Sequence, residues 1–314
     1  MAEAEAQSAG DGLRVAAGVL HYRCWPDVQT TIDALLAQSR PADEILLMDH
    51  ASGDGSAEKL RDAYPQLEVV KTPDNRGASA GMNRLIAALV AKDVDGVLLV
   101  QDDMEFARDG LERLAARLAE DAQLGAVGPL VAHRRAPERI FYAGGYVDPR
   151  NWALEFREQP SQLSDWEGQP PQEVDFLETG GILLRAAAVR DAGPMLPEHF
   201  FHHLDDVDYT LRLRARGWKL ECIPAAVAWQ DVGDRSQEQL VPPGDPYLLT
   251  RNRLGLIARN APRRMLAREL VRVLKWLARD AIRPRNGSRA ELKPRLMGLI
   301  DFCRGRWGPP PAKA

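Results

Sequence analysis

Residues 98–106 read LLVQDDMEF, an apolar run that ends abruptly in the adjacent carboxylates Asp102 and Asp103. A strand buried on both faces has such a continuous hydrophobic sequence, and in open α/β sheets ligands bind beyond the carboxyl ends of these strands. Two neighbouring carboxylates repel each other and resist burial. The pair therefore indicates either a solvated turn or a site for a cation and its anionic ligand.

The residues before this stretch alternate between strand-like and helix-like patterns with short links. Strands are predicted over residues 13–20, 44–48, 67–71 and 96–100, and helices over 28–36, 57–64 and 79–91. Such alternation predicts a parallel, doubly wound sheet in which the loops after the strands share one edge. Four loops are expected to converge on one crevice, at Tyr22, Asp49, Asn75 and Asp103.

The second half of the chain is less regular and carries a second acidic cluster. Predicted here are a helix over 111–120, strands over 127–131 and 141–146, a strand and tight turn over 174–181, a strand passing into a helix over 182–189, and a candidate lid over 157–172. Residues 200–209 read FFHHLDDVDY and lead into a helix over 207–215. The helix dipole favours one acid at that N-terminus, but it does not account for three acids and two histidines together.

Composition and cysteine usage limit the classes of protein to be considered. The chain has 314 residues, 45% hydrophobic and 27% charged, as in an ordinary globular protein. No apolar run approaches the length of a membrane span, and residues 1–12, a predicted disordered leader, lack a secretory signal pattern. The three cysteines are far apart and odd in number, so they predict no disulfide framework and favour a reducing cytoplasm.

The loops of the first half suit a nucleotide ligand. Asp49 at a strand end can accept hydrogen bonds from a base or ribose, while Gly77 and Gly81 let the backbone approach a ligand near a helix N-terminus. The alternative is a set of ordinary turn residues. No G-x-G-x-x-G follows the first strand and no G-x-x-x-x-G-K-[ST] is present, so neither a dinucleotide enzyme nor a P-loop ATPase is indicated.

Five segments together resemble the motifs of the family 2 inverting glycosyltransferases, and among them the rhamnosyltransferase- and galactofuranosyltransferase-like members. The segments are 21–23 (HYR), 49–56 (DHASGDGS), 74–83 (DNRGASAGMN), 101–103 (QDD) and 203–218 (HLDDVDYTLRLRARGW). The resemblance covers residues 13 to about 255. It implies an α/β fold of the GT-A type, with a doubly wound, mixed, mostly parallel sheet and a C-terminal helical extension.

The resemblance also implies an activity and the residues that serve it. The expected reaction moves a sugar from a UDP- or dTDP-sugar to a hydroxyl of a glycan or lipid-linked acceptor in cell-envelope polysaccharide biosynthesis. Donor contacts are expected from His21, Tyr22, Arg23, Asp49, Ser52, Asn75, Gly77, Gly81, Asn83, Gln101 and Asp102. Four residues are expected on the acceptor side: Gly180, Gly181, His203 and Trp229.

The mechanism implied by the resemblance needs one base and one metal. Asp205 or Asp206 would take the proton of the acceptor hydroxyl as it attacks the anomeric carbon, which inverts the configuration. A Mn²⁺ or Mg²⁺ ion on Asp103 would neutralise the departing diphosphate. The acids alone do not exclude a retaining pair of carboxylates, as in glycoside hydrolases.

Two positions depart from the family pattern and put the metal in doubt. Gln101 stands in place of the first Asp of the D-x-D motif, and Gln230 stands where the family usually has a metal-binding His. A neutral amide is a weaker donor to a hard cation, and Asp231 is the expected substitute. Of the adjacent His202 and His203, at most one is expected to face the site, because neighbouring side chains of an extended segment point to opposite sides.

The C-terminal part is strongly basic, with 17 Lys and Arg against four Asp and Glu from residue 251 onward. An apolar stripe and a basic stripe recur there at helical spacing. Their residues are Leu266, Leu270, Val273, Leu274 and Leu277, and Arg264, Arg268, Arg272, Lys275 and Arg279. Two interpretations remain open: a helix packed on the core with a solvated basic face, or peripheral attachment to anionic lipid at the inner face of the plasma membrane. Nucleic acid is not expected, because no aromatic–basic interleaving accompanies the charge.

These observations predict a leader over 1–12, a catalytic domain over 13–250 and a basic helical extension over 251–314. The domain would comprise a nucleotide-binding half, 13–106, and an acceptor and catalytic half, 107–250. Two alternatives remain open. One is a catalytically weak nucleotide-sugar-binding module, motivated by Gln101 and Gln230. The other is a nucleotidyltransferase, against which the missing glycine-rich signature near the first strand argues.

Overall fold

A computed structural model describes residues 12–156, 161–196, 199–230, 245–282 and 288–310. In its first half, strands β1 (Val15–His21), β2 (Glu44–Asp49), β3 (Glu68–Lys71) and β4 (Gly96–Gln101) alternate with helices α1 (Val28–Leu36), α2 (Ser56–Ala63) and α3 (Ala78–Val90). The strands are parallel in the order β3-β2-β1-β4. The predicted doubly wound arrangement is therefore confirmed.

The second half extends this sheet with strands that run in both directions. Its strands are β5 (Met104–Phe106), β6 (Leu124–His133), β7 (Ala136–Tyr142), β8 (Gly145–Val147), β9 (Leu154–Phe156), β10 (Ser161–Gln162), β11 (Gln172–Glu173), β12 (Ile182–Arg185) and β13 (Lys219–Gln230). Its helices are α4 (Gly110–Glu120), α5 (Ala186–Ala192) and α6 (Asp205–Ala215). Strand β12 joins the halves by pairing antiparallel with both β4 and β6, and β13 runs parallel to β6. The sheet is thus mixed, as predicted.

Helix α3 packs unusually close to strand β1. This close contact positions the N-terminus of α3. A Cβ added at Gly18 would lie 2.7 Å from the side chains of Leu85 and Leu89, so glycine is required for the contact. Both leucines are fully buried, which stabilises the packing by roughly 2 kcal/mol for each side chain.

Of the strand and tight turn predicted over 174–181, the strand is wrong and the turn at Gly180–Gly181 is present. Only one isolated bridge, between Gly145 and Phe176, forms in this segment. A Cβ at Gly145 would lie 2.0 Å from the Phe176 ring, so this ring takes the space beside the backbone. The carboxylate of Asp175 accepts a hydrogen bond from the Val147 amide at 2.7 Å. Beyond this bridge the backbone turns away from a ladder, because the Leu177 and Glu178 amides donate to the hydroxyls of Thr210 at 3.3 Å and Tyr142 at 3.0 Å.

Two further predicted segments of the second half differ from the structure. The strand over 141–146 is interrupted at Gly144, where φ is +83°, and divides into β7 and β8. Of the candidate lid, residues 157–160 lie outside the described residues. The remainder contains β10, which pairs with β7, and a 3-10 helix over Leu163–Trp166 whose Trp166 is buried. This part is therefore anchored to the edge of the sheet.

Three helices form the C-terminal part: α7 (Pro246–Asn260), α8 (Arg263–Ile282) and α9 (Ser288–Cys303). They share a small core built on Leu254, Val273 and Leu299. The predicted domain boundary between residues 250 and 251 lies inside α7, where Arg251 and Asn252 are fully buried. Among the described residues, no helix combines the length and apolar character needed to cross a membrane. Of the predicted leader, residues 1–11 lie outside the described residues.

Candidate active site

The ends of the parallel strands bring the predicted donor residues to one edge of the sheet. His21 at the end of β1 is in register with Asp49 at the end of β2, and Leu20 is in register with Gln101 at the end of β4. The four loops predicted to converge follow four parallel strands in one sheet. Their polar residues therefore share the edge at which an α/β sheet binds ligands.

The loop after β1 is tied to Asp102. The buried His21 ring has Nδ1 3.0 Å from Asp102 Oδ2 and Nε2 2.8 Å from the Ser56 hydroxyl. The same Asp102 oxygen accepts the Tyr22 amide hydrogen bond at 2.8 Å. His21 thus connects two loops from inside, whereas the Tyr22 ring is 43% exposed and is the part of this loop open to a ligand.

The loop after β2 is connected to the loop after β1 through Ser52. The Ser52 amide donates to Asp49 Oδ1 at 3.3 Å, and the Ser52 hydroxyl accepts from the Arg23 amide at 3.1 Å. Arg23 Nε in turn donates to the Ser52 carbonyl at 3.0 Å. The buried carboxylate of Asp49 therefore has a fixed orientation, as a base- or ribose-binding acceptor requires.

The turn at Gly77 delivers the N-terminus of α3 to the same edge. Gly77 has φ +92°, and a Cβ there would lie 2.1 Å from the Phe201 carbonyl oxygen, so a side chain cannot be accommodated. Asn75 Oδ1 accepts from the Gly77 amide at 2.9 Å, and His50 Nε2 lies 3.1 Å from the Gly77 carbonyl. Burial lowers the pKa of His50, which keeps its imidazole neutral at physiological pH. A helix N-terminus favours an anion, and here the Ala78 amide of the first turn donates to the Phe201 carbonyl at 3.0 Å.

Two of the predicted donor residues lie further along α3. Gly81 packs against β1, where an added Cβ would lie 3.0 Å from the Leu20 side chain. Asn83 exchanges two hydrogen bonds with the Met195 backbone, at 2.8 and 3.2 Å. The amide of Asn83 therefore holds the segment after α5, and a donor-binding role for Asn83 stays a prediction.

Gln230 at the end of β13 lies between Gln101 and Asp103. Its Nε2 donates to Gln101 Oε1 at 2.6 Å and to Asp103 Oδ1 at 3.0 Å. Burial, with a smaller effect from the neighbouring Asp102 carboxylate, raises the pKa of Asp103, while the Gln230 hydrogen bond opposes the shift. We call this group of three side chains the amide bridge.

The amide bridge does not fit a divalent cation. A hard cation prefers carboxylate and other oxygen ligands, yet the atom that faces Asp103 and Gln101 is an amide nitrogen that donates. Within the described part of the chain, no cluster of three or more His, Cys, Asp or Glu side chains is placed to hold a metal. Asp231, the expected substitute ligand, lies outside the described residues.

Sequence reasoning missed a cation at this site, Arg134 in the turn between β6 and β7. Arg134 Nη2 donates to the Asp103 carbonyl oxygen at 2.6 Å, and the Arg134 amide donates to the Gln230 carbonyl at 2.9 Å. The buried Nε of Arg134 has no hydrogen-bond partner among the described residues. The pair Arg134–Arg135 between two strands was the available signal, but only the sheet shows that it reaches Asp103.

The N-terminus of α6 makes Asp205 and Asp206 unequal. Asp205 is buried and accepts a hydrogen bond from the Ser79 hydroxyl on α3 at 2.7 Å. Asp206 is partly open to solvent and accepts from the Val207 amide at 2.8 Å. Burial, the Asp205 carboxylate and then Glu178 raise the pKa of Asp206 well above its ordinary value. Burial also raises the pKa of Asp205. The two acids differ because Asp206 is partly exposed, whereas Asp205 is buried and held by Ser79 on α3.

The third acid of the cluster, Asp208, is structural. Its buried carboxylate is 3.2 Å from Arg212 Nε, 3.1 Å from Arg259 Nε and 2.8 Å from Asn260 Nδ2. These contacts join α6 to α7. Asp208 therefore fixes the helix that carries Asp206 at its first turn.

The expectation for His202 and His203 is wrong. Their rings were expected on opposite sides, but the ring centroids are 4.1 Å apart. The segment is not extended, because His203 and Leu204 have left-handed backbones with φ +69° and +64°. Asn252 on α7 holds this conformation by donating to the carbonyls of His202 at 2.8 Å and His203 at 3.0 Å.

The Gly180–Gly181 turn brings the expected acceptor side against the donor edge. A Cβ at Gly180 would lie 3.2 Å from Cδ of Gln101, and Gly181 has φ +81°. Two residues earlier stands Glu178, which sequence reasoning also missed and whose charge acts on Asp206. Trp229, expected on the same side, donates from Nε1 to the Pro137 carbonyl at 3.3 Å on the β6–β7 side of the sheet.

Known proteins share this sequence and architecture. The family model described as Glycosyl transferase family 2 matches residues 18–174, half of the chain. The N-acetylglucosaminyl-diphospho-decaprenol L-rhamnosyltransferase of Mycobacterium tuberculosis is 27% identical over 231 residues, which cover 65% of this chain and 72% of that protein.

Two solved structures share the fold at low sequence identity. GalNAc-T7 with UDP, GalNAc and Mn²⁺ has a TM-score of 0.58 and 14% identity, over 79% of this chain and 48% of GalNAc-T7. A mannosyltransferase from Pyrobaculum calidifontis with GDP-Man and Mn²⁺ has a TM-score of 0.56 and 17% identity, over 94% of this chain and 76% of that protein.

The family match includes the loops after β1, β2, β3 and β4, which form the edge described above. Inversion of the anomeric configuration is typical of this family. The chain belongs to glycosyl transferase family 2 and is a glycosyltransferase with the GT-A fold.

Proposed function

We propose that this enzyme transfers a sugar, with inversion, from a UDP- or dTDP-sugar to a hydroxyl of a lipid-linked glycan. The observation that carries the proposal is the placement of Asp206. Asp206 is partly exposed and its carboxyl group has a raised pKa, and the preceding residue, Asp205, accepts a hydrogen bond from Ser79 on α3. A raised pKa makes a carboxylate a stronger proton acceptor.

The donor would lie along the edge formed by the first four loops. Tyr22 and the oriented carboxylate of Asp49 suit the nucleoside, and the α3 N-terminus beside Gly77 suits the diphosphate. Gln101 is the last residue of β4, the strand next to β1, and Asp102 follows it directly. The sugar of the donor would lie beside these two residues. These donor roles rest on the shared edge and on the family motifs.

The acceptor hydroxyl would approach from the side of the Gly180–Gly181 turn. As its oxygen bonds to the anomeric carbon, Asp206 takes the hydroxyl proton and the bond to the diphosphate breaks on the opposite face of the sugar. Asp205 would serve as a positioning residue in this step, because its carboxylate oxygen accepts a hydrogen bond from the Ser79 hydroxyl. No step passes through a cation, and the predicted Mn²⁺ or Mg²⁺ cofactor stays untested.

The acceptor class is proposed from the named relative and from the C-terminal surface. The mycobacterial relative acts on a sugar carried by a polyprenyl diphosphate, as its name states. Of the eight exposed large hydrophobic residues of the described chain, six lie between residues 271 and 300. They are Val271, Leu274, Trp276, Ile282, Leu296 and Ile300.

This apolar surface carries positive charge. The guanidinium groups of Arg272 and Arg295 lie 5.2 and 4.8 Å from the centroid of the Trp276 ring. Apolar residues interleaved with Arg and Lys on a helix surface favour an anionic bilayer. We therefore place the enzyme at the inner face of the plasma membrane, where a lipid-linked acceptor would meet it. The inner side of α8, including Val273, packs on the protein, so only its outer side serves this contact.

The test combines donor binding with transfer. Binding of UDP-, dTDP- and GDP-sugars is measured first, and then transfer to N-acetylglucosamine linked through diphosphate to a short polyprenol. We expect one donor class to bind, Asp49→Ala to weaken that binding, and product to form with inverted configuration. Donor binding without turnover on any acceptor would favour the binding module, and pyrophosphate release from a nucleoside triphosphate would favour the nucleotidyltransferase.

A further inference from the structure

The amide bridge of Gln101, Asp103 and Gln230 has a defined polarity. Gln230 Nε2 is within hydrogen-bond distance of two oxygen atoms, Gln101 Oε1 and Asp103 Oδ1. The opposite orientation of the Gln230 amide would place its carbonyl oxygen against both acceptors. The contacts therefore fix the nitrogen, which carries partial positive charge, towards the carboxylate.

The backbone holds this arrangement in place from two sides. Gln230 pairs with Met104 of β5 and with His133 of β6, so its side chain leaves the sheet beside Asp103. The next residue after β6, Arg134, donates from its amide to the Gln230 carbonyl at 2.9 Å. The backbones of Gln230 and Arg134 are thus joined to each other, and the side chain of each residue also contacts Asp103.

The two groups together supply what a divalent cation would supply here. The Gln230 amide donates a hydrogen bond to each of Asp103 and Gln101, the two side chains whose oxygen atoms would hold a cation if one were bound. Arg134 brings a full positive charge to the Asp103 backbone at 2.6 Å, and its buried Nε lies 3.9 Å from Glu105 Oε2 but has no hydrogen-bond partner among the described residues. A guanidinium is well suited to a phosphate group because its donors match phosphate geometry.

We propose that this enzyme binds its donor diphosphate without a divalent cation, with Arg134 as the diphosphate-binding charge and Gln230 as the residue that replaces the metal at Asp103. The inference rests on the proposed use of a nucleotide-diphosphate donor. It makes Arg134 a binding residue and Gln230 a positioning residue.

Calorimetric titration of UDP and dTDP into the full chain tests the inference, once with excess EDTA and once with Mn²⁺. We expect dissociation constants that agree within about twofold. Arg134→Gln should weaken binding about tenfold in both conditions, because a charge-assisted hydrogen bond to phosphate is lost. Arg135→Gln, at the exposed neighbouring position, is the matched control and should leave binding unchanged.

A second variant tests the polarity of the amide bridge. Gln230→His places an imidazole, a good metal ligand, beside Asp103. We expect this variant to bind Mn²⁺ in the absence of donor and the wild-type chain not to bind it. Electron paramagnetic resonance of the protein alone measures this difference. Donor binding by this variant should then depend on Mn²⁺. This readout requires neither the acceptor nor turnover.

The outcomes separate this inference from the proposed function. Wild-type binding that falls at least tenfold in EDTA and returns with Mn²⁺ would overturn the metal-free site and leave the glycosyl transfer standing. Equal binding by Arg134→Gln and Arg135→Gln would overturn the role of Arg134. If neither UDP nor dTDP binds under any condition, the proposed donor and this inference both fall.

Discussion

Replacing Asp206 by asparagine should lower activity and raise stability at the same time. Asparagine has nearly the same shape but cannot accept the proton of the acceptor hydroxyl. General base catalysis contributes about 10²–10⁴-fold to a rate, so kcat should fall by that factor. Donor binding should not change, because the proposed role of Asp206 is towards the acceptor hydroxyl.

The gain in stability follows from the raised pKa of Asp206. A carboxyl group whose pKa is higher in the folded than in the unfolded state stabilises the fold below its unfolded pKa, and this contribution is lost as pH rises through the folded pKa. At pH 8 the fold of the wild-type enzyme is therefore destabilised by ionisation of Asp206 beside Asp205 and Glu178. We expect Asp206→Asn to raise the free energy of unfolding by about 1 kcal/mol or more at pH 8, and by less at pH 4.

Asp208→Asn is the matched control, since it makes the same change two residues later on the same helix. Asp208 is paired with Arg212 and Arg259, so the change removes attraction rather than repulsion. Both guanidinium groups reach solvent, which limits the loss to roughly 1–3 kcal/mol. The two variants should therefore shift stability in opposite directions.

Urea unfolding at pH 4 and pH 8 and single-turnover transfer measure both effects. Loss of stability in Asp206→Asn at pH 8, or a kcat within threefold of the wild-type value, would refute the assignment of Asp206 as the base. In that event Glu178→Gln becomes the next variant to measure, because its charge faces the same site.

Three further changes probe the supports of the site. Gly77→Ala should destabilise the fold by about 2 kcal/mol or more in thermal unfolding, because its Cβ meets the Phe201 carbonyl and its φ is +92°. Asn252→Ala should lower kcat about tenfold with little change in nucleotide affinity, because the left-handed segment before Asp205 loses two hydrogen bonds. Trp276→Ala should weaken cosedimentation with anionic phospholipid vesicles about fivefold, because an interfacial aromatic side chain is removed.

Each of these changes has a control. Gly53→Ala also replaces a glycine with positive φ, but no atom lies within 4 Å of its added Cβ, so equal losses at Gly53 and Gly77 would contradict the close-contact argument. An Asn252→Ala variant that loses nucleotide affinity as much as kcat would argue against a local effect on the base. Vesicles of zwitterionic lipid should bind poorly throughout, and equal binding to both vesicle types would refute the role of charge.

Much of the nucleotide half could be predicted from the sequence, because its strands are buried on both faces and its links are short. Residues 96–100 differ from β4 by one position, and residues 44–48 differ from β2 by one position. The convergence of the four loops then follows from the parallel order alone. These features depend on local patterns, which a single sequence contains.

The rest of the site depends on contacts between distant segments. The sequence left Asp205 and Asp206 equivalent, and they become different because Ser79, 126 residues away, donates to one of them. The local signals for Arg134, an arginine pair between two strands, and for Glu178 do not reveal their position, which only the pairing of β6 with β13 and the Gly180 turn shows. The strand predicted over 174–181 failed because its apolar residues contact Gly145 and the core as a loop.

The two hydrogen bonds that Asn252 donates to the segment before Asp205 make the geometry of the site depend on the C-terminal helices. Asn252 stands on α7, whose Tyr247 accepts from Arg251 and contacts Asp301 on α9 at 3.0 Å. A chain shortened at residue 250 would keep every residue that touches substrate in this proposal and still lose the support of its base. We therefore expect α7 and α9 to support the proposed base as well as to carry basic charge.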